Sequence, residues 1–272
     1  MKQPIYAVVV LYNVNYKKSR TFMDIVGLPD VSLIVCDNST VDVGNYELAD
    51  DYPEVTYISM GHNAGLSAAY NRAIHKLEGK TGYLCLFDDD TQVGADYFSA
   101  LREEIDRTRA DIYLPLVYDL QGLMSPCIMS GVRTHRVSSV EEIPPGQISG
   151  INSGMAVNLA VYRDYRYDEG YFLDYVDHAF LRDVKAQGRT VLPLCGAALQ
   201  QDFSLNERAD VLGAKVRFRL FYRDFYRFCS VSFSARCFAV LYILKRWLYI
   251  NLVMRIGGRR KKSSAAGEEK AK

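Results

Sequence analysis

Apolar residues fall in short unbroken runs through the N-terminal third of the chain, and a polar cluster stops each one. Ile5 to Tyr12 is β-branched and apolar on both faces, the pattern of a central parallel strand. Val31 to Cys36 repeats it and ends in Asp37-Asn38-Ser39-Thr40. Val55 to Ile58 is shorter and runs into Gly61-His62-Asn63-Ala64-Gly65, and Tyr83 to Phe87 stops at Asp88-Asp89-Asp90. Between the runs, polar Asn13 to Met23 opens a helix and Leu66 to Leu77 forms another. Strands alternating with helices at this spacing predict a doubly wound α/β fold with a mostly parallel central sheet. Ligands of such sheets bind beyond the carboxyl ends of the strands, where Tyr12, Asp37, Asn38, Asn63 and Asp88 all fall.

Beyond the acidic triplet the pattern predicts a helix over residues 95–109 and a strand from Asp111 to Val117. Residues 120–146, rich in Gly, Pro and Ser, read as loop with short strands. Gly150 to Val157 reads as a strand with a close backbone approach at its glycines. A helix from about Asp174 to Gln187 follows, with Asp174 as N-cap, Asp177 at N3 and Gly188 as C′ residue. Thr190 to Leu199 is the last strand.

The C-terminal segment changes period. From Ala214 to Cys229, Lys215, Arg219, Arg223 and Arg227 recur every fourth residue, with Phe218, Phe221, Tyr222, Phe225 and Phe228 opposite. Phe238 to Ile256 is more apolar but holds Lys245, Arg246 and Arg255; a cation at mid-bilayer costs about 2.5–3.5 kcal/mol on insertion scales. An interfacial helix or hairpin is therefore expected rather than a span. Charge sharpens this picture: residues 213–262 hold 13 Lys and Arg against one acid, Asp224, while the rest holds 20 against 31. An acidic body with a basic, apolar-rich end predicts an anionic membrane surface as partner and argues against nucleic acid. The expected division is residues 1–212 as catalytic domain, 213–262 as membrane-associating helices and 263–272 as a disordered tail.

Six cysteines (Cys36, Cys85, Cys127, Cys195, Cys229, Cys237) show no CxxC spacing. They read as reduced thiols of a cytosolic protein and call for neither zinc nor disulfides. No signal peptide is evident at the N-terminus. The expected location is the cytoplasm, peripheral on the inner face of the cell membrane.

Four groups of residues can carry chemistry. In an extended backbone Asp88 and Asp90 share one side and Asp89 takes the other, so two carboxylates at a strand end make a hard-oxygen site for Mg²⁺ or Mn²⁺ and for substrate phosphates. The same triplet also reads as a solvated acidic turn. Asp37-Asn38-Ser39 reads first as an Asx turn, though its Asp can also accept from the N3–H of uracil or thymine. Asn63-x-Gly65 with Asn71 sets two amides around a helix start, where phosphates bind, and equally reads as turn chemistry. Asp174 and Asp177 open a helix whose positive end keeps a carboxylate ionised, as a general base requires; both also read as dipole and cap residues.

Taken together, five stretches resemble family 2 glycosyltransferases of the GT-A fold, in the rhamnosyltransferase and galactofuranosyltransferase-like branch. They are Val8 to Asn13, Asp37-Asn38-Ser39, Asn63-Ala64-Gly65-Leu66-Ser67-x-Ala69-x-Asn71, Leu86 to Thr91, and Asp168-Glu169-x-x-Phe172-Leu173-Asp174-Tyr175-Val176-Asp177, within residues 4–205. The resemblance implies an inverting, metal-dependent transfer from a UDP- or dTDP-linked sugar to a lipid-linked or cell-surface glycan. It implies Tyr12, Asp37, Asn38, Asn63, Gly65, Asn71, Asp88 and Asp89 as donor contacts, with Asp37 on the base and Asp88 near the ribose. Asp90 with Asp88 would hold the metal, Asp177 would be the catalytic base, and Ser153, Gly154, Asp174 and His178 would meet the acceptor. Many relatives carry a metal-binding His after the last strand; Gln201 stands in that place here, with Asp202 as a possible substitute. Two rivals remain. A non-catalytic partner protein of the same fold would account for Gln201. A phosphatase-like hydrolase would account for Asp-x-Asp, but it wants Thr or Val where Gln92 stands.

Overall fold

The computed structural model describes residues 2–201 and 211–253. Asp202 and the basic run Arg259 to Lys262 lie outside the described residues, as does the expected tail. The chain divides into two compact units, Met1–Asp202 and Phe203–Lys272.

The first unit is built on one mixed sheet. Its strands are β1 (Ile5–Leu11), β2 (Val31–Asp37), β3 (Thr56–Ser59), β4 (Tyr83–Asp88), β5 (Ile112–Asp119), β6 (Gly122–Ser125), β10 (Met155–Asn158) and β11 (Val191–Gln200). The spatial order is β11-β5-β10-β4-β1-β2-β3, with β6 paired to β5. β1, β2, β3 and β4 run parallel, as do β5 and β11. β1 is buried along its whole length, as its two-faced apolar run requires. Leu66 to Lys76 (α3), Tyr97–Thr108 (α4) and Val176–Ala186 (α5) are helices, and Arg20–Ile25 (α1) and Leu48–Asp51 (α2) are short ones. A small three-stranded sheet, β7 (Cys127–Ser130), β8 (Arg133–His135) and β9 (Ile148–Ser149), fills the stretch expected as loop with short strands.

Three local expectations are corrected. The strand expected over Gly150 to Val157 begins only at Met155, because Gly154 has φ +76° and an extended run cannot pass through it. That strand, β10, lies antiparallel between β4 and β5. Helix α5 starts at Val176 rather than Asp174: Tyr175 takes the N-cap place in the left-handed region (φ 61°), so Asp174 precedes the cap and Asp177 falls at N2.

The second unit contains α6 (Val211–Phe228) and α7 (Phe233–Leu248), joined by a turn at Cys229–Val231. The Ser232 side chain caps α7 by accepting from the Ala235 amide at 3.2 Å. The basic/aromatic split of α6 is present, with Arg219, Arg223 and Arg227 exposed and Phe218, Phe221, Phe225 and Phe228 buried. Its aromatic face meets α7: Phe221 and Phe225 lie 6.1 and 5.2 Å from the Tyr242 ring, and Phe225 lies 6.1 Å from Phe238. Tyr222, expected on that face, stays exposed. No helix among the described residues is long and apolar enough to cross a membrane.

Candidate active site

The sheet register brings the acidic residues together. Asp88 lies beside Val10, Asp37 beside Leu11, and Ser59 beside Asp37, so the ends of four strands, β1 to β4, meet at one level. β1 has β2 on one side and β4 on the other, and the connections leave in opposite directions. A crevice at such a switch point is where this architecture takes ligands.

The loop after β4 is held from below by α1. The Thr21 hydroxyl lies 2.6 Å from the Asp88 carbonyl and 2.8 Å from that of Thr91. Ser19 donates its hydroxyl to the Asp89 carbonyl at 2.7 Å and also caps α1. Asp24 accepts from the Val93 amide at 3.0 Å. On the other side, the Gln92 amide donates to Gln200 at 3.3 Å, which ties the loop to the end of β11.

Asp88 is the hub. Its Oδ2 accepts from the Ser153 hydroxyl at 2.9 Å and from Gln201 Nε2 at 3.3 Å. Burial pushes the Asp88 carboxyl up to about 6; Ser153 and Gln201 oppose the rise, and the charges of Asp90 and Asp177 add to it. Asp89 is raised to about 6 as well, by burial first and then by Asp90 and Asp88. Asp177 therefore belongs to the same electrostatic cluster as Asp88. Its Oδ1 accepts from the His178 amide at 2.7 Å, and His178 Nδ1 is 2.7 Å from the Ser149 hydroxyl.

Unsatisfied polar atoms gather here. Gln201 is 6% exposed, and its Oε1 is buried without a hydrogen-bond partner. So are Asn152 Oδ1 beside Ser153, Thr91 Oγ1 beside Asp90, and the hydroxyl of Tyr70, which feels the charges of Asp88 and Asp177. Native structures rarely leave such groups unpaired, and a ligand is one ordinary reason for them. A buried amide oxygen next to a carboxylate whose charge burial and neighbouring acids disfavour is a donor set that a hard cation would complete. Among the described residues no group of three or more His, Cys, Asp or Glu forms a metal cage. Such a set would leave positions for water and phosphate oxygens.

The other expected residues divide by what engages them. Asp37 Oδ2 accepts from the Tyr57 hydroxyl at 2.9 Å and Oδ1 from the Ser39 amide at 3.1 Å, so the Asx turn forms and the carboxylate is oriented by a phenol. Asn38 and Asn63 brace one another at 3.0 Å, and each also accepts from a loop amide, Ala64 or Gly65. Tyr12 is exposed at the end of β1. Asn71 uses both ends of its amide on the 167–169 segment, bonding Tyr167 and Glu169. Gly65 has φ +86° and admits Phe172, whose ring carbon would stand 2.8 Å from an added Cβ. Gly154 lies beneath the site, with its amide bonded to Leu86 and its carbonyl to Tyr97. Asp174 is half-buried just ahead of α5.

Residues 8–123, from β1 through β5 into β6, match the family described as Glycosyl transferase family 2. That stretch, under half of the chain, is similar to a family 2 glycosyltransferase domain. It is also 28% identical over 186 residues to the dTDP-rhamnosyl transferase RfbF of Shigella flexneri, covering 65% of this chain. The match spans 62% of that protein's length. Two solved structures share the fold. GalNAc-T7, crystallised with UDP, GalNAc and Mn²⁺, superposes with TM-score 0.58 at 14% identity, over 74% of this chain and 44% of that one. Residues 1–349 of S. aureus TarS superpose at 0.52 and 14% identity, over 90% of this chain and 80% of that one.

The pattern of the chain does not expose Ser19, Thr21, Tyr57 or Tyr70 as parts of this domain's site. A Ser one residue ahead of a helical run does signal the α1 cap. Nothing local to Thr21 or Tyr57 signals a partner in another strand.

Proposed function

We propose that the chain is an inverting glycosyltransferase that uses a dTDP- or UDP-linked sugar to glycosylate a hydroxyl of a lipid-linked or cell-surface glycan. The convergence of Asp88, Ser153, Gln201 and Asp177 at the β1/β4 switch point carries this reading, and the name of the Shigella relative favours a dTDP-linked deoxysugar. Asp37, fixed by Tyr57, accepts from the N3–H of the pyrimidine, with Tyr12 exposed beside it. Asn38 and Asn63 shape the loop around the donor, and Asp88 and Asp89 line its diphosphate end.

Asp88, Asp90 and the free Oε1 of Gln201 would hold Mg²⁺ or Mn²⁺, which when bound supplies positive charge beside the departing diphosphate. Asp177 takes the proton of the acceptor hydroxyl as its oxygen bonds to the anomeric carbon and the bond to phosphate breaks. Placement at N2 of α5 sets its carboxylate beside the positive end of the helix. Ser153 steadies Asp88, while Asp174 and His178 flank the acceptor side. The protein works from the cytoplasm, peripheral on the inner face of an anionic membrane.

The test is a thermal-shift titration with dTDP and UDP, each with and without Mn²⁺, followed by transfer assays with the corresponding sugars. Metal-dependent stabilisation that Asp90→Asn removes is expected; full transfer in excess chelator would refute the metal assignment. A chain that binds dTDP yet transfers nothing would instead support the competing reading of a non-catalytic partner, which Gln201 motivates.

A further inference from the structure

The membrane part of the proposed function leaves open which surface meets lipid, and the C-terminal unit answers differently from the pattern of its sequence. The pattern points to α6, with its aromatic stripe. In the structure that stripe is already used: Phe221 and Phe225 pack on Phe238 and Tyr242, and the Arg246 guanidinium lies 4.1 Å from the Phe221 ring centroid. What α7 turns inward is Ala235, Ala239 and the half-buried Phe238, Ile243 and Arg246.

Its outward side is apolar. Phe233, Val240, Leu241, Leu244, Trp247 and Leu248 are each at least 40% exposed, with Phe233 at 83% and Leu241 at 67%. At about 100° per residue these six fall within an arc of about 120°. Arg236 borders the arc on one side and Lys245 on the other, both exposed. An isolated surface leucine needs no explanation, but a continuous stripe of large apolar side chains does.

We infer that this outer face of α7 is the membrane-contacting surface, lying in the interface of an anionic bilayer with Arg236 and Lys245 reaching phosphate headgroups. This rests on the peripheral-membrane reading above and names the surface that serves it. Charge decides for lipid over a second protein copy. Residues 213–253 hold eight Lys and Arg against the single acid Asp224, which is buried, so two copies meeting through this face would bring like charges together. The exposed Arg219, Arg223 and Arg227 of α6 add to the same positive field. A span is disfavoured: no helix among the described residues is long and apolar enough to cross a membrane, and Lys245 and Arg246 interrupt the apolar run. Cations at the edges of an apolar arc and a tryptophan within it are the composition of an interfacial helix.

Trp247 is the sole tryptophan of the chain and sits inside the stripe, so the chain reports on its own docking. It is titrated with vesicles of phosphatidylcholine alone or mixed with phosphatidylglycerol, following Trp247 emission and co-flotation. A blue shift and flotation with the mixed vesicles, weakened by salt and by loss of the anionic lipid, are expected. Leu241→Glu with Leu244→Glu, both exposed and so compatible with folding, should lower partitioning at least about tenfold. Thermal unfolding and dTDP binding should stay as in wild type. Unchanged Trp247 emission with the mixed vesicles overturns the inference, as does flotation that the double variant retains. A shift that depends on protein concentration without lipid assigns the face to a second copy and overturns it too. Failure of dTDP binding or transfer with vesicle docking intact would refute the enzymatic reading and leave this surface standing.

Discussion

Thr21→Val tests whether α1 sets the geometry of the acidic loop. Thr21 is fully buried and its hydroxyl sits 2.6 and 2.8 Å from the carbonyls of Asp88 and Thr91. The hydroxyl has one proton, so it serves these two acceptors by sharing or alternation. Valine keeps the branched shape and removes the donor, leaving at least one buried carbonyl short of a partner. The expected loss is about 1–3 kcal/mol. For a unit of this size about 2 kcal/mol corresponds to a fall in Tm of about 4–8 °C. Ser19 still holds the Asp89 carbonyl at 2.7 Å, so the loop should loosen without detaching. Metal-dependent dTDP binding should then weaken about threefold to tenfold, an energy of about 0.7–1.4 kcal/mol. Urea unfolding gives the stability change at constant m, and calorimetric titration of dTDP with Mn²⁺ gives the affinity. Thr21→Ser, which keeps the hydroxyl, should recover most of the affinity. Wild-type stability together with wild-type dTDP affinity in Thr21→Val would show that the Asp88 loop does not depend on α1.

Asp177→Asn keeps the shape at N2 but removes the base; turnover should fall about 10²- to 10⁴-fold with donor affinity near wild type, as single-turnover assays would show. Gln201→His should tighten Mn²⁺ in a titration followed by thermal shift, because imidazole is the better ligand; an unchanged midpoint would place Gln201 outside the metal site. Tyr57→Phe removes the phenol that orients Asp37, so KM for the donor should rise several-fold while kcat holds; a change confined to kcat would detach Asp37 from base recognition. Gly65→Ala meets both a positive φ and the Phe172 contact, so it should cost more than about 1 kcal/mol in urea unfolding.

The strands that run parallel were legible because a run apolar on both faces, such as Val8 to Leu11, has few places to go but the middle of a sheet. The direction of β10 was not, because Met155 to Asn158 presents the same apolar character whichever way it runs. The acidic triplet stood out as chemistry, and so did Asp37 and Asp177. Their supports did not: Thr21 reaches a carbonyl 67 residues away, and Gln201 an aspartate 113 residues away. The start of α5 was misplaced by the rule that an Asp ahead of a helical run is its cap; the chain instead turns through a left-handed Tyr175. In the C-terminal segment the period of α6 was plain, but not that its aromatic side would be spent on α7.

The reversal of β10 divides the labour of the chain along its length. A strand running against its neighbours begins where they end, so the residues that lead into it arrive at the crevice from the far side, as Ser153 does at Asp88. On the proposed function, the turns that leave β1, β2 and β4, all within the first ninety residues, serve the nucleotide, while the turn that enters β10 serves the carboxylate at their centre through Ser153. Lengthening or replacing the stretch before Met155 is therefore expected to move Ser153 off Asp88 while the turns after the parallel strands keep their frame.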